Sequence, residues 1–207
     1  MKLAALLVLA LTCFINVCAF GASSAAADDA QNIKYINQQY GFIEEQLPRA
    51  VHYLHTEEKD GVAVTDQAWL SEARDLLKVS TDRRSAAGRE LTEITLLEGD
   101  APVFVLTRRE TPAADGAGTL VEESRLTIAQ LTLIRLLTKK ATFPAGDPMD
   151  TVKVKNTTVD VAKLTDKERE CYPYGNQARS LLKSLVAAGP PERDPATVTP
   201  SFSSLWR

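Results

Sequence analysis

Apolar residues recur at alternating spacings of three and four between residues 33 and 54. This is the rhythm of a helix with one apolar seam. The seam consists of Ile33, Ile36, Tyr40, Ile43, Leu47, Ala50 and Leu54. Pro48 removes a backbone donor, so we expect the helix to kink or break near Glu44 and Glu45. The pattern predicts an amphipathic helix, or a broken pair, on the protein's own core. The alternative is a seam for a partner helix or a second copy of the chain.

Two further segments carry helical signals. The first begins at Thr65 or Asp66 and ends near Val79, because Trp69, Ala73, Leu76 and Leu77 would share one helical face. The second is the run Ile128–Leu137, which follows a capping-box pattern formed by Thr127 and Gln130. This run is apolar on nearly every side and predicts a central buried helix, with a strand as the alternative.

Strand signals begin at Leu91. The β-prone runs Glu93–Leu97 and Val103–Thr107 flank a Gly/Asp/Pro turn and predict a hairpin. Ala113–Gly118 is a loop of small residues, and Leu120–Val121 reads as a short strand. Further on, alternating valines between residues 152 and 161 indicate a strand pair or a bulged strand around Asn156.

Two helices are predicted after the strands. Thr165 and Glu168 resemble a capping box for a short helix that Pro173 ends. Asn176 is a candidate cap for a last helix, whose apolar residues are Ala178, Leu181, Leu182, Leu185 and Val186.

These elements predict an α+β fold with a helical N-terminal half, a small antiparallel sheet from about Leu91 to Val161 and a closing C-terminal helix. The separation of helices from hairpins argues against a doubly wound parallel sheet. We predict a single globular domain over residues 28–189 and an extended tail over residues 190–207, which begins after Gly189 with Pro190 and Pro191.

Residues 1–27 resemble an export signal. Lys2 supplies a positive start, Leu3–Val17 is almost entirely apolar, and small residues fill Gly21–Ala27. The apolar run is shorter than the roughly 20 residues of a membrane span. We therefore expect a secreted, extracellular or periplasmic protein without a stable membrane span, cut before Asp28 or, alternatively, before Ala22. A lipoprotein with an acylated Cys13 or Cys18 is less favoured, because neither cysteine follows a Leu and two small residues.

Composition narrows the classes of partner. The chain is 44% hydrophobic and 25% charged, which is typical of a soluble globular protein, and its formal net charge of -3 becomes -4 when Lys2 is removed. This mild acidity gives no reason to expect nucleic acid. The basic pairs Arg83–Arg84, Arg108–Arg109 and Lys139–Lys140 are interleaved with acids and are predicted to lie on solvated faces. The adjacent glutamates, such as Glu122–Glu123, are predicted to face solvent as well.

Catalytic and cofactor signals are weak. His52 and His55 would share a helical face and could hold a metal with Glu57, Glu58 or Asp60. The pair lacks the i,i+4 spacing of the metalloprotease helix and a specified third ligand, so we predict a structural or exposed pair and no metal. No phosphate loop, dinucleotide fingerprint or nucleophile elbow is present, so no cofactor is predicted. After signal removal, Cys171 is the single cysteine, predicted to be a half-buried thiol or the site of an intermolecular disulfide.

The leading hypothesis is an exported, non-enzymatic, protein-binding factor: an inhibitor, an immunity- or effector-type protein, or an envelope accessory protein. Phe202, Leu205 and Trp206 are its predicted partner-docking residues, unless they fold back onto the domain. The partner is another protein, with a homodimer left open. One alternative is a carrier of an apolar small molecule, with a pocket lined by Phe42, Trp69, Leu131 and Ile134. Another is a hydrolase in which a histidine meets Cys171, a serine or a buried carboxylate.

Overall fold

One antiparallel sheet of eight strands dominates the computed structural model, which describes residues 28–97, 101–114 and 116–194. The strands follow one another in sequence order, and each pairs with its neighbours along the chain. They are β1 Val51–Lys59, β2 Val62–Leu70, β3 Leu76–Ser85, β4 Gly88–Leu97, β5 Ala101–Pro112, β6 Gly118–Ala129, β7 Thr132–Pro144 and β8 Thr157–Val159.

The predicted fold class is wrong. Strands hold 49% of the structure and helices 30%, and the sheet begins at Val51 instead of about Leu91. The predicted helical N-terminal half contains one long helix, α1, over residues 28–46. The short helix α2 spans Asp166–Arg169, and α3 spans Tyr172–Ala188. Among the described residues, no helix is both long and apolar enough to span a bilayer.

The first predicted helix is confirmed only over part of its seam. α1 ends at residue 46, and Pro48 lies in a 3-10 turn over Leu47–Arg49. The chain then enters β1 at Val51, so Ala50 and Leu54 are not helical. The proline therefore ends the helix, in agreement with its missing backbone donor.

The predicted helix from Thr65 to Val79 is wrong. β2 ends at Leu70, a turn follows, and β3 begins at Leu76. In the turn, Ser71 N donates to Asp75 O over 2.8 Å, and Arg74 adopts a left-handed φ of 71°. The spacing that resembled a helical face joins residues of two strands and a turn.

The predicted buried helix over Ile128–Leu137 is also wrong, and the alternative of a strand is closer to the structure. This segment lies in the hairpin between β6 and β7, in which Ala129 pairs with Thr132. The two turn residues, Gln130 and Leu131, have φ values of 49° and 63°. Two successive positive φ values define a type I′ turn, which suits the twist of a two-residue hairpin.

Two other predictions, the first hairpin and the capping box, are confirmed. The hairpin from residues 93 to 107 is confirmed in β4 and β5, as is the loop between Pro112 and Gly118. The capping box of α2 is confirmed, because Glu168 N donates to Thr165 Oγ1 and Thr165 N donates to Glu168 Oε2.

The alternating valines after residue 152 form only one short strand, β8, between two 3-10 turns. α3 begins at Tyr172, so Asn176 is not its cap.

α1 and α3 pack on opposite faces of the sheet. On the α3 face, the adjacent strand residues Ala68, Val79 and Ile94 are at most 2% exposed and share one apolar cluster with Ala178 and Leu185 of α3. On the α1 face, the rings of Tyr40 and Phe104 lie 4.8 Å apart. The core therefore consists of the sheet and the two helices, α1 and α3, that pack on its two faces. It occupies the part of the strands that contains Val79, Ile94 and Phe104.

Candidate binding surface

The strands extend beyond the area that α3 covers. α3 covers only one half of the sheet face on which it packs. The other half, which we call the open face, exposes Arg83, Glu90, Arg109 and Lys140. These residues lie four positions along their strands from the buried residues Val79, Ile94 and Val105 and from the partly buried Leu136. Side chains alternate between faces along a strand, so residues four apart point to the same side. α3 therefore leaves the open face to solvent or to a partner.

A row of hydroxyl side chains crosses the open face. Direct register pairs join each member to the next on the adjacent strand, in the order Thr81, Thr92, Thr107, Ser124, Thr138 and Thr157. At one end of the row, Thr81 Oγ1 donates to Asp66 Oδ1 over 2.7 Å. The row runs from β3 to β8, so this part of the surface offers small polar groups and no apolar patch.

A row of alternating charge runs beside the hydroxyl row. Its members are Arg83, Glu90, Arg109, Glu122 and Lys140, each paired in register with the next. Lys140 Nζ donates to Glu122 Oε1 over 2.6 Å, and this hydrogen bond lowers the pKa of Glu122. Arg109 Nε lies 3.5 Å from Glu90 Oε1. Among the described residues, Arg83 has no ion pair, so it is the uncompensated cation of the row.

A pocket of about 210 Å³ opens at the corner of the open face, where β3 turns into β4. We call it the arginine pocket, because four arginines line it: Arg83, Arg84, Arg89 and Arg109. Glu90 and Glu110 also line it, which leaves an excess of two positive charges among its lining side chains. A pocket of this size and charge suits a carboxylate or a small oxyanion.

Gly88 shapes the wall of the arginine pocket. Its φ of 133° is one that side chains with a Cβ rarely adopt, and a Cβ there would lie 2.0 Å from Glu110 O. Only glycine permits this close approach of β4 to β5. The position of Arg89 in the pocket therefore depends on the residue before it.

Asp82 holds two of the pocket arginines from the α1 face. Arg89 Nε donates to Asp82 Oδ1 over 2.8 Å, and Arg84 Nη2 donates to Oδ2 over 2.8 Å. Burial raises the pKa of Asp82, but the hydrogen bonds from Arg89 and Arg84 outweigh it, so the net shift is downward. The carboxylate fixes these two guanidinium groups and leaves Arg83, which points to the other face, without a counter-charge.

Glu110 completes the wall behind the pocket. Its Oε1 lies 2.8 Å from Arg108 Nε and 3.5 Å from Arg89 Nη1, and its side chain is 9% exposed. The approach from Arg108 has too poor an angle for a hydrogen bond, so the contact is an ion pair only. This buried carboxylate lies between two guanidinium groups and neutralises part of the pocket's charge.

A second buried polar cluster lies on the α1 face beneath the loop that follows β7. Thr151 Oγ1 donates to Glu123 Oε2 over 3.2 Å, and Lys139 Nζ donates to Thr151 O over 2.7 Å. Arg125 Nε donates to the other oxygen of Glu123 over 2.8 Å. This cluster holds the loop against the sheet, so Glu123 is buried and the prediction that it faces solvent is wrong.

The three basic pairs, predicted to lie on solvated faces, are each split by strand alternation. Arg83, Arg109 and Lys140 lie on the open face, whereas Arg84, Arg108 and Lys139 lie on the α1 face, where Lys139 is 8% exposed. Alternation within β-prone runs is the sequence signal for this site. The predicted helix over residues 65–79 hides that signal, because it removes β2 and part of β3 from the sheet.

The two histidines do not form the predicted pair. They lie on β1, and residues three apart on a strand point to opposite faces. His52 stacks on Trp69 with ring centroids 4.9 Å apart, and its Nδ1 lies 3.0 Å from Glu192 Oε2. Within the described ranges, no three His, Cys, Asp or Glu side chains are arranged to hold a metal ion.

Cys171 is more deeply buried than predicted. It is 1% exposed, and its thiol donates to Arg169 O over 3.5 Å. Burial raises the pKa of the thiol to about 11. A group in this state carries little thiolate at neutral pH, so its local chemistry is that of a core side chain.

The residues predicted to line an apolar carrier pocket are dispersed. Phe42 and Ile134 line two different surface cavities, Leu131 lines a third, and Trp69 stacks on His52. The predicted docking residues Phe202, Leu205 and Trp206 lie outside the described residues, as does the predicted signal over residues 1–27.

The open face and the arginine pocket are thus the surface with the clearest polar organisation in the described chain. A comparison of the chain with protein-family models, curated proteins and solved structures finds no match.

Proposed function

We propose that this chain is an exported, non-catalytic binding protein whose partner is another protein, and that the partner presents an acidic side chain to the arginine pocket. The observation that carries the proposal is the position of Arg83. Arg83 lines a pocket that opens onto an uncovered sheet face, and within the described residues it lies opposite Glu90 without forming an ion pair. A carboxylate from a partner would form the charge-assisted contact that Arg83 lacks.

The dimensions of the open face support a macromolecular partner. From β1 to β7 the sheet spans about 29 Å at roughly 4.8 Å between strands, and about five residues of each strand add roughly 17 Å in the other direction. The product is on the order of 500 Å², which approaches the roughly 800 Å² that each partner contributes to a standard protein interface. A small molecule would cover only a fraction of this surface.

The chemistry of the surface supports a reversible partner. The hydroxyl row, with Thr107 near its centre, offers hydrogen-bond donors and acceptors to a partner. The pairs Glu90–Arg109 and Glu122–Lys140 already compensate each other. Surfaces that exchange water for a partner in this way are typical of non-obligate interfaces, which are as polar as the rest of a protein surface.

Poly-L-glutamate is a suitable probe for the charge component. We expect the purified protein to bind it in isothermal titration calorimetry, with an affinity that falls as salt screens the charges. Arg83→Gln should weaken binding about tenfold, because a hydrogen bond to a charged group contributes about 1.5–3 kcal/mol. Arg179→Gln is the matched control, since Arg179 is exposed on α3 and lies outside the pocket.

Thr107→Glu tests whether a polypeptide crosses the open face. It adds bulk and negative charge in the hydroxyl row, two positions from Arg109 on the same face, so it should weaken poly-L-glutamate binding more than inorganic phosphate binding. Equal affinities of wild type, Arg83→Gln and Arg179→Gln would contradict the proposal. Binding of phosphate that accounts for all of the Arg83 effect would assign the pocket to a small anion instead of a protein.

A further inference from the structure

A groove separates the end of α1 from the turn between β2 and β3. Its volume is about 570 Å³, and its lining residues are Phe42, Glu45, Gln46, Arg49, Ala50, Ser71, Glu72, Ala73 and Leu77. Phe42 is 60% exposed, although the seam of the same helix is buried at Ile36 and Ile43. Burial of this large aromatic ring against another segment would remove apolar surface from water and would therefore be favourable.

The C-terminal segment is fastened at the rim of this groove. The Arg193 guanidinium donates to Leu47 O over 2.8 Å and to Ala50 O over 3.2 Å. Its backbone pairs with His52 on the edge strand β1. Two of these three residues, Leu47 and Ala50, lie where α1 leads into the sheet, and Ala50 lines the groove.

The next residue is fixed on the other side. Asp194 Oδ2 accepts a hydrogen bond from Arg74 Nη2 over 2.7 Å. Arg74 follows directly on Ser71–Ala73, which line the groove. Both walls of the groove therefore hold the C-terminal segment. Arg193 binds the wall formed by Leu47 and Ala50, and Asp194 binds Arg74 in the turn between β2 and β3.

The residues that follow have a composition that matches the groove. Ala196–Trp206 contains no charged side chain and includes Phe202, Leu205 and Trp206, and Arg207 comes next. Phe202 lies eight positions after Asp194, and this stretch spans at most about 29 Å when extended. The partly apolar groove lies beside Asp194 and is within reach of these apolar side chains. Glu45 and Glu72 in the walls of the groove complement the charge of Arg207.

We propose that residues 195–207 bind in this groove of their own chain, with their aromatic residues packed against Phe42. The short connection from Asp194 favours the intramolecular contact, because a tethered segment has an effective concentration in the millimolar range. The tail then acts as a strap that joins the C-terminus to α1, and Phe42 is withdrawn from solvent.

Tryptophan fluorescence tests the proposal. The chain contains two tryptophans, so Trp69→Phe leaves Trp206 as the single probe. We expect blue-shifted emission and protection from acrylamide in this background. Phe42→Asp should shift the emission toward that of tryptophan in water and increase quenching several-fold. Tyr35→Asp is the matched control, since Tyr35 is also an exposed aromatic residue of α1 but lines a different cavity.

Hydrogen exchange provides a second measurement that needs no substitution at Trp69. In the full protein, amides of residues 42–50 and 71–77 should exchange more slowly than in a chain that ends at Asp194. Solvent-like emission from Trp206, or equal exchange in both chains, would overturn the proposal. Protection that appears only with rising protein concentration, together with a dimeric mass, would overturn it in favour of a groove filled by a second copy.

Discussion

Lys78 of β3 and Glu44 of α1 form an ion pair that ties the N-terminal helix to the sheet. The Nζ atom donates to Glu44 Oε1 over 2.9 Å and lies 3.1 Å from Glu93 Oε2, and the lysine side chain is 8% exposed. Burial lowers the pKa of Lys78, but Glu93 and Glu44 outweigh it, so the net shift is upward. The charged amine is thus stabilised by folding.

Replacing Lys78 by Ala should destabilise the protein by about 2 kcal/mol at pH 7, which is the usual range for hydrogen bonds to charged groups. Because the folded pKa is raised, the lysine's charge contributes fully below its unfolded pKa of about 10.4 and is lost as pH rises through the folded value. Urea unfolding of wild type and variant should therefore show a smaller difference above about pH 11 than at pH 7.

Lys163→Ala serves as the control, since its side chain is 81% exposed and its ion pair with Asp160 lies on the surface. It should change stability by less than about 0.5 kcal/mol. If the Lys78 variant were as stable as this control, α1 would not depend on the ion pair.

The turn between β6 and β7 predicts a stabilising double substitution. Gln130 and Leu131 hold left-handed φ values that neither residue favours, whereas Asn-Gly is the preferred pair for a type I′ turn. Gln130→Asn with Leu131→Gly should raise the free energy of unfolding by on the order of 1 kcal/mol. Thermal melting measures the change. A lower melting temperature would contradict the type I′ turn, because glycine adopts the left-handed φ of that turn without steric cost.

This turn also shows why the sheet is underestimated from the sequence. Gln-Leu carries no turn signal, so two strands merge into one apolar run that resembles a buried helix. At residues 65–79, Trp69, Ala73 and Leu76 match a helical spacing across a real turn. The two strands of the hairpin at residues 93–107 are predicted correctly because a Gly/Asp/Pro pattern separates the two β-prone runs in the sequence. Pattern alone locates strands only where turn residues separate them.

Trp69 is expected to contribute less to stability than a residue of the central core. Its ring is only partly buried and stacks on His52. Trp69→Ala should therefore lower the free energy of unfolding by about 1–3 kcal/mol, through the loss of partial burial and of the ring contact. Ile94→Ala is the comparison, since Ile94 is 1% exposed, and it should cost about 2–5 kcal/mol. Chemical denaturation ranks the two. A larger loss from Trp69→Ala would place that residue in the core.

The arginine pocket becomes predictable only after the strands are assigned. Arg83 and Arg109 are 26 positions apart, and Glu90 lies between them in sequence and in space. The antiparallel register, which depends on turn positions, brings the three together. Arg83 and Arg109 are flanked directly by charged residues in the sequence, so their place on one face has no meaning for a binding site until the strand order is known.

Two glycines should respond oppositely to alanine. Gly88→Ala would place a Cβ 2.0 Å from Glu110 O and should destabilise the protein by more than about 1 kcal/mol while reducing poly-L-glutamate binding. Gly41 lies within α1, and a methyl group added there would meet no other part of the protein within 4 Å, so Gly41→Ala should stabilise by about 0.5–1 kcal/mol. Unfolding curves of both variants check the signs. A Gly88→Ala protein with unchanged stability would show that β4 and β5 do not approach so closely.

Cys171 should resist thiol reagents in the native protein. At pH 8, a pKa of about 11 leaves on the order of one thiolate per thousand thiols, and the side chain is 1% exposed. Labelling with Ellman's reagent should therefore be slow in buffer and rapid in guanidinium chloride, with one thiol per chain that begins at Asp28. Fast labelling of the native protein would mean an accessible, activated sulfur and would support a nucleophilic role. Slow labelling would argue against a cysteine nucleophile, because a cysteine-dependent hydrolase requires an accessible thiolate.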